Sequence, residues 1–158
     1  MNKTLLPLIA GFAAGTCWLA SAQAESTVQI ENPYARAVAP GQANSAAYMV
    51  LNNTSAKEEI LLEVKSSIAH KAELHTHRME DGMMKMSEIE KIAIPAGERV
   101  TLQPGGLHIM LIGLNHQLIA GEQIPLTLIY ENGEQQAIMA PVRGIDDAGE
   151  AEHHHTMH

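Results

Sequence analysis

The sequence predicts a single all-β domain, a sandwich or barrel, and three features carry that expectation. Short apolar and β-branched runs recur along the chain, turn residues separate them, and helical periodicity is scarce. The runs fall at 27–31, 46–52, 59–64, 72–77, 83–94, 99–102, 108–114, 124–130 and 136–142. Asn52-Asn53-Thr54-Ser55 closes the second run. Asp81-Gly82 divides the fourth from the fifth, and Pro95-Ala96-Gly97 and Pro104-Gly105-Gly106 precede the sixth and seventh. These residues supply the positive or fixed φ that turns require. Asn132-Gly133, between the last two runs, predicts a tight hairpin.

No internal repeat, flexible linker or heptad pattern divides residues 25–143, so one domain is expected there. Of the 158 residues, 46% are hydrophobic and 18% charged, in keeping with one compact fold. Residues 1–24 have the form of a cleaved secretory signal. Lys3 is the positive start, the stretch from Leu5 to Leu19 is apolar or small, and Ala22-Gln23-Ala24 is a cleavage site. The apolar stretch is short for a membrane span, and no membrane insertion is expected after cleavage. Cys17 lacks the leucine and small residue that a lipidation site places before its cysteine, which makes lipidation the lesser alternative. Residues 144–158 are polar and predict a flexible tail.

Cleavage would remove Lys3, Phe12, Cys17 and Trp18. The formal charge would deepen from −8 to −9, and no cysteine would remain. That charge disfavours nucleic acid. Without a thiol there is no cysteine nucleophile, redox disulfide or thiolate ligand, and a blue-copper centre is excluded because it needs a Cys thiolate. No acid/base pair or Ser-His-Asp arrangement stands out, so no enzyme is expected.

Nine His and nine Met against 3% aromatic residues is a skew toward metal ligands. They concentrate in 73–86 (ELHTHRMEDGMMKM) and 104–111 (PGGLHIML). On a strand, alternation puts His108 with Met110, His75 with His77, and Met84 with Met86, while Ile109 and Leu111 turn to the core. Thioether with imidazole suits Cu(I), whereas Ca²⁺ and Mg²⁺ want oxygen ligands and structural zinc mostly uses cysteine.

His75, ten residues, Met86, twenty-one residues, His108, one residue and Met110 make an H-x10-M-x21-H-x-M pattern. With Asn32-Pro33-Tyr34-Ala35-Arg36, Gly82-Met83-Met84 and Ile94-Pro95-Ala96-Gly97, it resembles the periplasmic copper chaperones of the PCu(A)C family from about Val28 to Pro141. The resemblance implies a cupredoxin-like Greek-key β-sandwich and a Cu(I) site of His75, Met86, His108 and Met110 on an exposed rim. It also implies a periplasmic carrier serving the CuA-bearing subunit of cytochrome c oxidase or a thioredoxin-like copper assembly protein; a monomer is expected. A sequestration or resistance protein without a dedicated recipient is the alternative.

His77, Met79, Met83 and Met84 lie beside the motif as candidate supporting or loading residues. In the tail, His153, His154, His155, Met157 and His158 are a candidate second site, for Cu(II) or Zn²⁺. Met49 and Met139 are expected as core fillers, His70 and His116 as surface residues, and Glu73, Glu80, Asp81 and Glu88 as solvated carboxylates.

Overall fold

The computed structural model describes residues 26–144. The expected signal segment and the tail residues His153, His154, His155, Met157 and His158 lie outside the described residues. Ten strands are present: β1 (Val28–Arg36), β2 (Asn44–Asn53), β3 (Glu59–Lys65), β4 (Ala69–Glu80), β5 (Met83–Glu88), β6 (Ile92–Ile94), β7 (Arg99–Leu102), β8 (His108–Leu114), β9 (Gln123–Tyr130) and β10 (Gln135–Arg143). Among the described residues there is no helix long and apolar enough to cross a membrane.

The strands are ordered β5-β4-β8-β2-β1-β10-β9-β3-β6, with β7 also on β2. Every pairing is antiparallel except β1 with β10. That parallel seam joins two halves, whose apolar faces close on one core. Met49, Leu51, Leu74, Ile109 and Leu111 come from one half, and Leu61, Ile94, Ile124, Leu126, Leu128 and Tyr130 from the other. Alternation produces this layering: Ile124, Leu126, Leu128 and Tyr130 are buried at every second position of β9.

The expected 83–94 run is two strands. β5 pairs with β4, and β6 pairs with β3 in the other half. Between them Ile89 donates its amide to the Leu74 carbonyl at 2.9 Å. One strand cannot ladder with both halves, and burying Ile92 and Ile94 carries the chain across the core. β1 runs past its expected end through a bulge at Asn32-Pro33, where Asn32 takes φ 48°. Beyond the bulge, Tyr34 lies opposite Tyr48.

At the end of β4 the turn Asp81-Gly82 has φ of 52° and 77°, the double positive φ of a two-residue hairpin that twists with its strands. The hairpin expected at Asn132-Gly133 also forms. There the Gly133 amide donates to the Tyr130 carbonyl at 3.0 Å, and Gly133 has φ 85°.

Met49 is a core filler, but Met139 is 55% exposed and is not. On β10 its neighbour Ala140 takes the buried face, so alternation turns Met139 to solvent.

Candidate metal centre

β8 lies between β2 and β4, and β5 borders β4 on its far side. The registers align side chains in rows across these strands, because directly opposite residues share a face. Met110 lies opposite Glu73 and Ala46, and His108 opposite His75. His77 lies opposite Met86, and Met79 opposite Met84. Leu74, Ile109 and Leu111 point the other way, into the core. One outer face therefore carries His75, Met86, His108 and Met110 together, with His77, Met79 and Met84. Met83 falls on the opposite face of its hairpin, with Glu80, and separates from the group.

His108 is the centre of the arrangement and only 3% exposed. The His77 ring lies 5.2 Å from its ring, the His75 ring 5.7 Å and the Tyr48 ring 6.4 Å, centroid to centroid. Its Nδ1 donates to the Gly106 carbonyl at 2.9 Å, because a carbonyl oxygen can only accept. In the neutral ring Nε2 then keeps its lone pair, and this atom faces the Met86 sulfur at 3.2 Å. Burial holds the His108 imidazole below the ordinary histidine range. The Gly106 carbonyl opposes that shift, and His77 and His75 add to it. In that tautomer an imidazole nitrogen and a soft thioether sulfur face each other as lone-pair donors.

His75 is oriented in a complementary way. Its Nε2 donates to the Glu73 carboxylate at 2.8 Å, and its buried Nδ1 has no hydrogen-bond partner. Glu73 is itself paired with Lys71, and Lys71 first, then His75, hold its carboxyl below the usual carboxylate range. Glu73 is therefore not the solvated carboxylate that its position among charged residues suggests, since its side chain is only 11% exposed. Strand parity turns it onto the same face as His75. Glu80, Asp81 and Glu88 are exposed as expected, and so are His70 and His116.

A cavity of about 510 Å³ is lined by three of the four expected ligands, Met86, His108 and Met110, together with Tyr48 and His77 and with Arg36 at its side, while His75 does not line it. A slightly larger hollow of about 550 Å³ runs between β3, β4 and the end of β5. Its lining includes Glu63, Lys65, Lys71 and Glu90 but no thioether, so the soft-donor chemistry belongs to the smaller cavity. Exposure is graded: His108 is buried, His75 and Met110 are partly buried, and Met86 is 47% exposed. The rim expected from the resemblance is open at Met86 and closed at His108, because Tyr48 and the neighbouring imidazoles roof the latter.

Among the described residues no three His, Cys, Asp or Glu side chains converge to hold a metal. Any ion held here would need the methionine sulfurs. Neutral imidazole and thioether donors fit a soft monovalent cation and suit a hard divalent one poorly. A carboxylate holding one imidazole nitrogen while the other stays free is the usual support of a metal-ligating histidine. Tyr48, Glu73 and the Gly106 carbonyl are the members of the site that the residue pattern did not single out. Tyr48 comes from the neighbouring strand β2, whereas Glu73 and the Gly106 carbonyl lie two residues before the histidines they hold.

Residues 28–142 match the family described as "Putative lipoprotein LpqE-like". The chain belongs to the LpqE-like family. This LpqE-like chain is 34% identical over 124 residues to "Putative lipoprotein Lxx21020" of Leifsonia xyli subsp. xyli (strain CTCB07), a match covering 78% of the chain and 74% of the relative. It is 29% identical over 123 residues to "Uncharacterized protein RP573" of Rickettsia prowazekii (strain Madrid E), covering 75% and 68%.

Among solved structures, the LpqE-like chain resembles the copper-bound PCuAC domain from PmoF2, with a TM-score of 0.65 and 26% identity over 75% of the chain and 94% of that domain. It also resembles the Cu(I)-bound DR1885 of Deinococcus radiodurans in solution, with a TM-score of 0.63 and 33% identity over 78% and 83%. The fold is thus the all-β, cupredoxin-like sandwich of PCuAC domains, as the sequence led one to expect.

Proposed function

We propose that this chain is an exported, non-enzymatic copper chaperone that carries Cu(I) on His75, Met86, His108 and Met110. The observation that carries the reading is the paired tautomers: His75 Nδ1 lacks a partner, and His108 Nε2 faces the Met86 sulfur at 3.2 Å. Both imidazoles have their second nitrogen committed, to Glu73 and to the Gly106 carbonyl, so each keeps one lone pair with which to bind a metal. The likeness to a copper-bound PCuAC domain and to Cu(I)-bound DR1885 supports the same ion.

Four neutral donors leave the bound Cu(I) with a net charge of about +1, and ligand softness discriminates against divalent ions. Met86, the most exposed of the four, would be the donor that a recipient replaces first. Exchange of donors one at a time avoids a bare ion. The recipient we propose is the CuA-bearing subunit of cytochrome c oxidase or a thioredoxin-like copper assembly protein, in the periplasm. Residues 1–24 would direct export and be removed, residues 25–143 would hold the Cu(I) site, and His153, His154, His155, Met157 and His158 in the tail of 144–158 would offer a second site for Cu(II). The protein would act as a monomer.

The test is anaerobic titration with Cu(I) against a chromophoric chelator. It compares the full chain, the chain with His108→Ala and Met110→Ala, and the chain ending at Glu152. Loss of tight binding in the double variant and its retention on truncation support the reading. The reverse pattern would make the tail the main site and favour a sequestration protein.

Glu73→Gln has a separate expected result. The amide keeps the shape but can turn its NH₂ toward His75, so the ring is held less well and is less basic. Cu(I) affinity should drop about tenfold, the lower end for loss of a residue supporting a ligand, with the thermal midpoint of the metal-free protein little changed. Unaltered affinity in the same titration would remove Glu73 from the site.

A further inference from the structure

Beyond His77 the β4–β5 hairpin has lost the support of β8, whose pairing with β4 ends at His75 opposite His108. Not one residue of β5 is buried. This overhang nevertheless carries Met79, Met83, Met84 and Met86, 66%, 61%, 56% and 47% exposed. Scattered apolar residues on a surface are ordinary, but a contiguous group on one overhanging hairpin calls for a role. The register sorts them. Met79 lies directly opposite Met84, and His77 opposite Met86, all four on the face that carries His75 and His108. Cβ atoms of directly opposite residues lie about 5 Å apart, and the methionine side chain has three rotatable bonds with which to bring its sulfur onto a shared ion.

We propose that Met79 and Met84 form a second and weaker Cu(I) site at the hairpin tip that takes up the ion first and passes it inward, with His77 and Met86 the next donors. The inference rests on the Cu(I) reading above. Donors then follow one another in rows along the hairpin: Met79 with Met84, His77 with Met86, and His75 with His108. Each step exchanges one thioether or imidazole for the next, and the ion stays Cu(I) throughout. The outer pair is more exposed and contains no imidazole, so it binds less tightly than the buried end, and the gradient runs inward. Met83, on the other face with Glu80, takes no part.

The experiment uses the full chain with ¹³C-methyl-labelled methionine, titrated anaerobically with Cu(I) as its acetonitrile complex, and a stopped-flow measurement of loading. The expected result is that the first equivalent moves the Met86 and Met110 methyl signals and a further equivalent moves those of Met79 and Met84. Met79→Leu with Met84→Leu keeps the exposed apolar surface but removes both sulfurs. This pair should leave the affinity of the first equivalent unchanged and slow loading severalfold.

Met79 and Met84 signals that stay fixed through three equivalents overturn the proposal, as does a leucine pair that loads at the wild-type rate, which would make the hairpin an apolar contact surface. In His108→Ala with Met110→Ala, a continued response of Met79 and Met84 supports an independent tip site. If Met79 and Met84 respond in the wild-type chain while Met86 and Met110 do not, the deeper ligand assignment fails and the hairpin stands as the Cu(I) site.

Discussion

His108→Ala should weaken Cu(I) binding by more than about 100-fold. Residues that merely support a metal ligand are worth about 10- to 100-fold in affinity, and a direct donor should exceed them. At about 1.4 kcal/mol per decade this is roughly 3 kcal/mol or more. His108 is also the centre of the arrangement: Met86 sulfur lies 3.2 Å from its Nε2, and the His75 and His77 rings pack within 6 Å of its centre. Removing a buried ring can disturb the fold, so the isosteric Met110→Leu provides the second arm. It keeps the volume and apolar character and deletes only the sulfur. Both variants should lose affinity in chelator competition, His108→Ala more, while His77→Ala keeps tight binding. Wild-type affinity in both His108→Ala and Met110→Leu would show that the ligand set is wrong.

Acid should release the ion, and His108 should stay neutral below the ordinary histidine range. A proton and Cu(I) compete for the same imidazole lone pair, so affinity falls as pH drops through the histidine pKa. Burial holds His108 below the ordinary value of 6.5, which keeps it neutral and ready to ligate when an exposed imidazole would already be charged. Affinity should therefore change little from pH 8 to the ordinary histidine range. Further into acid it should fall about tenfold per pH unit for each ligating imidazole that must lose a proton.

The same shift bears on the metal-free protein. Because its folded pKa is the lower one, the unfolded chain binds the extra proton, so this contribution to stability is present above pH 6.5 and is lost as pH falls from there toward the folded value. Chelator competition at half-unit steps from pH 8 to pH 4.5, corrected for protonation of the chelator, measures the copper side. Affinity that holds constant down to pH 4.5 would exclude ligation by histidine.

The residues themselves made much of this legible. Strand parity alone put His108 and Met110 on one face and Ile109 and Leu111 in the core, and the structure has them so. The absence of cysteine after residue 24 left residues 25–158 without thiolate chemistry before any fold was known. Other features could not be read locally. The 83–94 run looked continuous, because nothing in its composition says that Met86 would pair with His77 while Ile94 would pair with Glu59 in the other half. Glu73 looked solvated because composition does not show that Lys71 and His75, two residues to either side, hold it on the strand, or that β8 aligns Met110 opposite it.

What the chain determined by itself, then, is its kind of chemistry and its periodicity: all-β strands, a core that alternates, and donors restricted to imidazole and thioether. Those follow from residue type and from a two-residue repeat, both of which are local. Which donors meet was decided only in three dimensions. His75 and His108 are separated by 32 intervening residues, and it is the insertion of β8 between β2 and β4 that sets their rings 5.7 Å apart. The free nitrogen on each ring is by contrast set locally, because a tautomer is chosen by the partner of the other nitrogen, here Glu73 and the Gly106 carbonyl, each two residues before its histidine.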